Sequence, residues 1–154
     1  MCGFAGLITD SGRRSTLASL VSRMADTIEH RGPDDVGTWV DTDSCVALGF
    51  RRLAIVDLSS AGQQPMVSNS GRFIIALNGE IYNHLQLRSD LTAAGAVPVW
   101  RGHSDTETLL ACFEHWGLAA TLAKTVGMFA IALWDASERK MHLVRDRFGE
   151  KPLY

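Results

Sequence analysis

The second residue of the chain, Cys2, has the side chain best suited to nucleophilic chemistry. A thiol is the most nucleophilic ordinary side chain at neutral pH, but it needs a base. Only Met1 precedes Cys2, and removal of an initiator methionine before a small residue would give Cys2 a free α-amino group. An α-amine titrates near pH ~8 in peptides, so it can act as that base. The alternative is that Cys2 is only a small core residue of a strand.

A second candidate is the Asn78-Gly79 pair, which follows the apolar segment at residues 73–77. Glycine lets a ligand approach the backbone closely. The Asn78 amide and the Gly79 N–H are both hydrogen-bond donors, and together they can hold the oxyanion of a tetrahedral acyl intermediate. The same dipeptide is a strong signal for a tight hairpin turn, and taken alone it favours that structural role.

Two further charged residues, Arg52 and Asp105, suit the two ends of an α-amino acid. An arginine can bind a carboxylate with two parallel hydrogen bonds, and a carboxylate can bind an ammonium group. The alternatives are a solvated strand residue for Arg52 and, for Asp105, a carboxylate that only complements the dipole at the start of a helix.

The other titratable residues have weaker patterns. His30 closes the first predicted helix, where a structural role is favoured over that of a catalytic imidazole because the helix dipole stabilises its cation. Lys124, Lys140 and Lys151 are isolated in the sequence and are predicted to be solvated. The sequence has no glycine-rich phosphate or dinucleotide motif and no His/Cys cluster with metal spacing, so no metal or nucleotide site is predicted in this chain.

Composition limits the classes of protein that remain. The chain has 154 residues, of which 46% are hydrophobic and 21% charged, with a net charge of −2. This predicts one folded domain with its own core and excludes intrinsic disorder. The basic residues are scattered, which argues against nucleic-acid binding. The three cysteines lie far apart and no apolar run is long enough for a membrane span, so we expect a cytoplasmic protein with no membrane contact.

The elements that must position these residues follow from hydrophobic periodicity and turn signals. Strands are predicted at residues 2–8, 37–40, 45–50, 53–56, 72–77, 126–134 and 141–145, with a loop at 58–71. Helices are predicted over 15–30, from Asn83 to Gly95, from Ser104 onward and briefly after Gly117. Asn83 with Gln86, and Ser104 with Glu107, have the spacing of a capping box.

Runs of strands beside runs of helices predict an α+β fold rather than a doubly wound sheet. A layered arrangement of two sheets between helices fits this order.

The candidate residues also occur in motifs whose order along the chain is specific. They are Met1-Cys2-Gly3, His30-Arg31-Gly32-Pro33-Asp34, Arg52-Leu53-Ala54-Ile55-Val56-Asp57-Leu58, Gln64-Pro65-Met66, Asn78-Gly79-Glu80-Ile81-Tyr82-Asn83-His84, Ser104-Asp105-Thr106-Glu107, Gly127-Met128-Phe129-Ala130, Arg145-Asp146-Arg147 and Lys151-Pro152-Leu153-Tyr154. In this order the chain resembles the class II glutamine amidotransferases, which are N-terminal nucleophile hydrolases, and within them the glutaminase domain of glutamine-hydrolysing asparagine synthetases.

The resemblance implies a four-layer αββα fold over residues 1–154 and a role for each matched residue. Cys2 would attack the side-chain amide of glutamine, with its own α-amine as base. Asn78 and the Gly79 N–H would form the oxyanion hole. Arg52 would bind the glutamine carboxylate, and Glu80 and Asp105 would bind its ammonium. This half-reaction would need no cofactor and no metal.

Two departures from the family pattern bear on function. Phe50 stands where many members have a histidine two residues before the matched Arg52. Family members also continue into a synthetase domain that uses ATP and Mg²⁺ to amidate an acceptor, most often aspartate. We expect this chain to be the N-terminal part of such a protein or to work with a separate synthetase partner. A homodimer is a further expected partner state. The alternatives are a non-catalytic glutamine-binding or regulatory domain and a structural fragment that docks on a synthetase.

Overall fold

Two antiparallel sheets form the centre of the structure. The computed structural model describes residues 2–54, 59–96 and 98–154. The strands in these residues are β1 (Gly3–Ile8), β2 (Asp35–Asp41), β3 (Val46–Arg52), β4 (Met66–Val67), β5 (Phe73–Ile81), β6 (Gly127–Asp135) and β7 (Lys140–Arg145). The helices are α1 (Leu17–Asp26), α2 (His84–Ala93), α3 (Asp105–Trp116) and α4 (Leu118–Lys124).

The sheets and helices stack in four layers. One sheet has the strand order β1-β3-β2, and the other has the order β4-β5-β6-β7. Helix α1 packs on the outer face of the first sheet, and α3, accompanied by α2 and α4, covers the outer face of the second. The two inner faces meet in an apolar core. The α+β class and the αββα layering predicted from the sequence are therefore confirmed.

The core between the sheets is built by alternate residues of the central strands, as the two-residue period of a strand requires. From β3 it takes Val46, Leu48 and Phe50, and from β5 and β6 it takes Ile74, Ala76, Ala132 and Trp134. The intervening residues of β5 face the helices and join a second, larger core. Strands β5 and β6 are therefore buried on both faces, which fixes the register in which they pair.

The first helix is shorter in the structure than the apolar spacing over residues 15–30 predicted. The α-helix ends at Asp26, and short 3-10 turns stand on both sides of it. The Thr27 hydroxyl donates a hydrogen bond to the Met24 carbonyl at 2.7 Å. Beyond Asp26 the backbone changes to i→i−3 hydrogen bonds, as in the 3-10 turn at Glu29–Arg31.

The region around the predicted strand 53–56 also differs from expectation. Strand β3 continues through Arg52, residues 53 and 54 are not in a strand, and residues 55–58 lie outside the described residues. The loop predicted at 58–71 contains the two-residue strand β4, which pairs with β5.

The capping box predicted at Asn83 is wrong. The Asn83 side chain bonds instead to the segment before β6. Its Nδ2 donates to the Lys124 carbonyl, and its Oδ1 accepts from the Val126 N–H, both at 2.9 Å. Asn83 thus joins the start of α2 to the end of α4, a tertiary contact that local spacing does not reveal.

The second predicted capping box is half confirmed. Ser104 Oγ accepts a hydrogen bond from the Glu107 N–H at 3.2 Å, as an N-cap residue should. The Glu107 carboxylate does not reach back to Ser104. It accepts instead from the N–H groups of Arg101 and Gly102, at 2.7 and 3.1 Å, and orders the loop before α3.

The segment after β7 is organised by one buried carboxylate, Asp146. Its two oxygens accept from four backbone N–H groups, those of Phe129, Phe148, Glu150 and Lys151, at 2.9 to 3.1 Å. Burial alone raises the pKa of Asp146, but these donors lower it more, to about 2. Asp146 therefore joins the last described segment to β6.

We expect Asp146→Asn to lower the free energy of unfolding at pH 7 by about 1–3 kcal/mol, because an amide loses charge-assisted bonds to backbone donors. The depressed folded-state pKa has a second consequence. The wild-type protein should have about 2 kcal/mol of stability from Asp146 above pH ~4, and should lose it as the pH falls from about 4 to about 2.

Urea unfolding between pH 7 and pH 3 measures both effects. Asp43→Asn is the matched control, because Asp43 is exposed and its carboxylate accepts none of these backbone bonds. Equal pH dependence in the wild type and in Asp146→Asn would contradict the assignment.

Candidate functional site

Strands β3 and β5, one from the inside of each sheet, change from apolar to polar residues at their carboxyl ends. On β3, the alternation that buries Leu48 and Phe50 between the sheets brings Arg52 to the same face. On β5, the face that carries Ile74 and Ala76 continues with Asn78 and then Glu80. The polar ends of these strands form the wall of a cavity.

This cavity has a volume of about 110 Å³. It is lined by Cys2, Arg52, Leu53, Gly62, Gln64, Leu77, Asn78, Gly79, Glu80, Ser104, Asp105, Thr106, Met128 and Lys151. The structure therefore brings to one place all six site residues expected from the sequence. Their chemical roles stay predictions.

The Cys2 thiol is held at the end of β1, next to the residue that follows β3. Strand β1 is in register with β3, with Gly3 opposite Arg51. Cys2 Sγ accepts from the Leu53 N–H at 3.3 Å and lies 3.5 Å from the Leu53 carbonyl oxygen, to which it can donate. The side chain is half-buried and touches the inter-sheet core. The strand thus fixes a residue near the chain terminus that would otherwise be mobile.

Asn78-Gly79 is not a turn, although the sequence pattern taken alone favoured one. Strand β5 passes through both residues to Ile81 and stays paired with β6, with Gly79 opposite Phe129. A Cβ atom at Gly79 would lie 2.2 Å from the Met128 carbonyl oxygen. Glycine is therefore required here by the close approach of β6, and the two donors stand in a rigid strand.

The direction of the Gly79 N–H follows from its neighbours on β5. N–H groups two residues apart along a strand point to the same side. The Leu77 N–H donates to Gln64 Oε1 at 2.7 Å, and the Ile81 N–H donates to Asp105 Oδ2 at 2.8 Å. Both acceptors lie on the side away from β6, so the Gly79 N–H between them also points away from β6, where Gly79 lines the cavity.

The charged residues of the cavity come from three elements and from the segment after β7, which contributes Lys151. Arg52, 8% exposed at the end of β3, donates to the Ser59 carbonyl at 3.0 Å and lies 4.0 Å from Asp35 Oδ2. Asp105 is buried at the first position of α3, and Glu80 is exposed near the end of β5. The cavity thus has cationic groups on β3 and after β7 and carboxylates on β5 and α3, and this pair of opposite charges suits a zwitterionic ligand.

Among the lining residues that the sequence did not predict as site residues are Gln64, Thr106 and Lys151. Gln64 is buried, and its side chain bonds to both β5 and Thr106 of α3. Lys151, predicted to be solvated, is only 5% exposed, because Asp146 and Arg145 hold its backbone at the cavity. All three belong to motifs that carried the family resemblance, which was the available signal.

Two residues singled out in the sequence lie elsewhere. His30 is exposed in the 3-10 turn after α1 and does not line the cavity. Phe50 is 1% exposed in the inter-sheet core and does not line the cavity either. The histidine-to-phenylalanine departure is therefore accommodated by packing between the sheets.

Within residues 2–54, 59–96 and 98–154, no three His, Cys, Asp or Glu side chains come together in a group that could hold a metal ion. In that same part of the chain, none of the helices has the length and apolar character needed to cross a membrane.

Comparison with solved structures supports the fold. Glutamine phosphoribosylpyrophosphate amidotransferase from B. subtilis superimposes with a TM-score of 0.68, over 94% of this chain and 36% of that one. The two sequences are 18% identical, so this similarity shows a shared fold alone.

Sequence comparison identifies closer relatives. The chain is 40% identical to glutamine-hydrolyzing asparagine synthetase 2 of Bacillus subtilis, over 100% of this chain and 20% of that protein. It is 33% identical to amidase chry2 of Gibberella zeae, over 100% of this chain and 24% of that protein. The chain spans about a fifth to a quarter of the length of these curated relatives. The family model described as "Glutamine amidotransferase domain" matches residues 1–154. The chain therefore belongs to the glutamine amidotransferase domain family.

Proposed function

We propose that this chain hydrolyses the side-chain amide of glutamine to glutamate and ammonia. One observation carries the proposal. In a member of this family, a single cavity collects a thiol, two hydrogen-bond donors on a rigid strand, and opposite charges spaced around them. These are the groups needed for acyl transfer from an α-amino acid amide.

The nucleophile in this proposal is Cys2, once Met1 has been removed. The Cys2 α-amine takes the thiol proton while sulfur forms a bond to the amide carbon of glutamine. The tetrahedral intermediate then collapses, the carbon–nitrogen bond breaks, and the leaving nitrogen takes the proton to depart as ammonia. Water attacks the remaining thioester, the carbon–sulfur bond breaks, and the thiol regains a proton as glutamate leaves.

The oxyanion of each intermediate is assigned to the Asn78 side-chain amide and the Gly79 N–H. The direction of the Gly79 N–H, set by the bonds of Leu77 and Ile81 on either side, supports this assignment. Because these donors lie on a strand that is paired with β6, they need little reorganisation as charge develops.

The ends of the substrate are assigned to the charged residues. Arg52 would bind the glutamine carboxylate, while Glu80 and Asp105 would bind its ammonium. The placement of Arg52 on β3 and of the two carboxylates on β5 and α3, around one cavity that also holds Cys2, supports this assignment.

The use of the ammonia is a further proposal. The B. subtilis relative is named as an asparagine synthetase and is about five times longer than this chain. We therefore propose that the ammonia serves amidation of an acceptor, most simply aspartate to asparagine, on a synthetase domain that would bind ATP and Mg²⁺. We also place the protein in the cytoplasm, which its three free cysteines support.

Replacement of the nucleophile is the first test. We expect Cys2→Ala to lower ammonia release from glutamine at least about 1,000-fold, because the other two thiols, those of Cys45 and Cys112, are buried and do not line the cavity. In the wild type with Met1 removed, an electrophilic glutamine analogue should add once, at Cys2, as measured by intact mass and peptide mapping.

Cys112 is an internal control for this labelling, because burial is the main cause that raises the pKa of its thiol to about 12 and leaves almost no thiolate at neutral pH. Glutamine binding without turnover or an adduct would favour the non-catalytic glutamine-binding alternative.

Loss of the guanidinium at Arg52 should weaken substrate binding. We expect Arg52→Gln to raise KM for glutamine about 10–100-fold with a smaller change in kcat, because a carboxylate contact is made equally in the ground and transition states. Steady-state ammonia release measures the split. A fall in kcat at unchanged KM would contradict the assignment.

A methyl group at Gly79 should remove activity by displacing the strand. We expect Gly79→Ala to lower kcat by at least about 100-fold, because its Cβ would clash with the Met128 carbonyl and shift an oxyanion donor. Gly12→Ala is the matched control, since its Cβ would meet only the Asp10 carboxylate at 3.3 Å. Comparable kcat values for the two variants would argue against Gly79 as a donor.

A further inference from the structure

A chain of hydrogen bonds runs along the wall of the cavity from one side of Gly79 to the other. The Leu77 N–H donates to Gln64 Oε1 at 2.7 Å, and Gln64 Nε2 donates to Thr106 Oγ1 at 3.2 Å. The Thr106 hydroxyl lies 3.4 Å from Asp105 Oδ1, and Asp105 Oδ2 accepts from the Ile81 N–H at 2.8 Å.

The direction of these bonds is determined by chemistry. A backbone N–H can only donate, so the Gln64 oxygen must face Leu77, and its NH₂ group must then face Thr106. The Thr106 oxygen accepts that bond, which leaves its own proton for the Asp105 carboxylate. From Leu77 to Asp105 the hydrogen bonds therefore all run in one direction. The bond from the Ile81 N–H meets them at Asp105, the residue assigned to the substrate ammonium.

Gln64 takes the place of a strand partner for β5. Strand β4 pairs with β5 at Met66–Ile75, and continuing this antiparallel register would bring residue 64 opposite Leu77. The Gln64 side-chain oxygen supplies the acceptor that the backbone would otherwise provide to the Leu77 N–H.

Gln64 is also held from the opposite sheet. A Cβ atom at Gly37 of β2 would lie 1.9 Å from the Gln64 carbonyl oxygen, so the two backbones are in close contact. Gln64 is 7% exposed and thus touches the first sheet with its backbone while its side chain bonds to the second sheet and to α3. It is placed to set the distance between these three elements.

We propose that Gln64 and Thr106 are positioning residues that together hold the Gly79 N–H and the Asp105 carboxylate in their working places. This inference rests on the proposed glutaminase function. A small displacement of a fixed donor weakens its hydrogen bond mainly in the transition state, where negative charge develops. Loss of Gln64 should therefore lower kcat more than it weakens substrate binding.

The test uses Gln64→Met, Thr106→Val and Thr106→Ser, with Met1 removed in every protein. For Gln64→Met, kcat for glutamine should fall about 10–100-fold while KM changes less than about threefold. Thr106→Val should lower kcat and also raise KM, through Asp105. Thr106→Ser keeps the hydroxyl and should restore both parameters to within about threefold of the wild type.

A second readout separates positioning from general loss of structure. The γ-aldehyde of glutamate would add to the Cys2 thiol, the S–H adding across C=O to give a hemithioacetal whose oxygen occupies the oxyanion position. For Gln64→Met, the inhibition constant of this aldehyde should rise in parallel with the loss in kcat. The inhibition constant of glutamate should stay within about threefold of its wild-type value. Gln86→Met, on the exposed face of α2, makes the same side-chain change away from the cavity and should alter neither.

The double variant tests whether the two residues act as one chain. Combining Gln64→Met with Thr106→Val should lower kcat no further than Gln64→Met alone, because the first change already breaks the chain. Additive losses, equal losses of aldehyde and glutamate affinity, or a Thr106→Ser variant as impaired as Thr106→Val would each overturn the inference. Inactivity of the wild type itself would overturn the proposed function first, and this inference with it.

Discussion

The backbone donors along one side of β5 determine where the site lies. A buried N–H group must have a partner, because an unpaired one costs about 1–3 kcal/mol. On the side away from β6, Phe73 donates to the Ser68 hydroxyl at 3.1 Å, and Ile75 is paired with β4. Beyond β4, Gln64 and Asp105 accept from Leu77 and Ile81. The Gly79 N–H stands between these two bonds and faces the cavity.

This constraint explains why the site combines such distant parts of the chain. The acceptor for Leu77 comes from the loop before β4, and the acceptor for Ile81 comes from the first turn of α3. Cys2 reaches the same place because β1 pairs with β3, whose last residue is Arg52. The apolar contacts between the two sheets hold these segments together, so the core that stabilises the fold also fixes the relative positions of nucleophile and donors.

Much of the architecture could be predicted from local pattern. Apolar segments and turn signals predicted β1, β2 and β5 to within a few residues, and Ser104 correctly marked the start of α3, because turn signals and N-cap chemistry are properties of neighbouring residues. Where prediction failed, the competing partner was distant in sequence. Asn83 bonds to Lys124 and Val126 instead of capping its own helix. Asn78-Gly79 continues as a strand because β6 pairs with it throughout.

The sequence by itself determined the α+β class, the residue types of the candidate site and the family, because motif order and hydrophobic period are written in the chain. Only the tertiary structure decided how those residues meet. It buried Lys151 at the cavity, placed His30 and Phe50 away from it, and added Gln64 and Thr106 to its wall. The physical reason is that these outcomes depend on which backbone donors and acceptors face each other across sheets, and that pairing is a property of the assembled layers rather than of any segment within them.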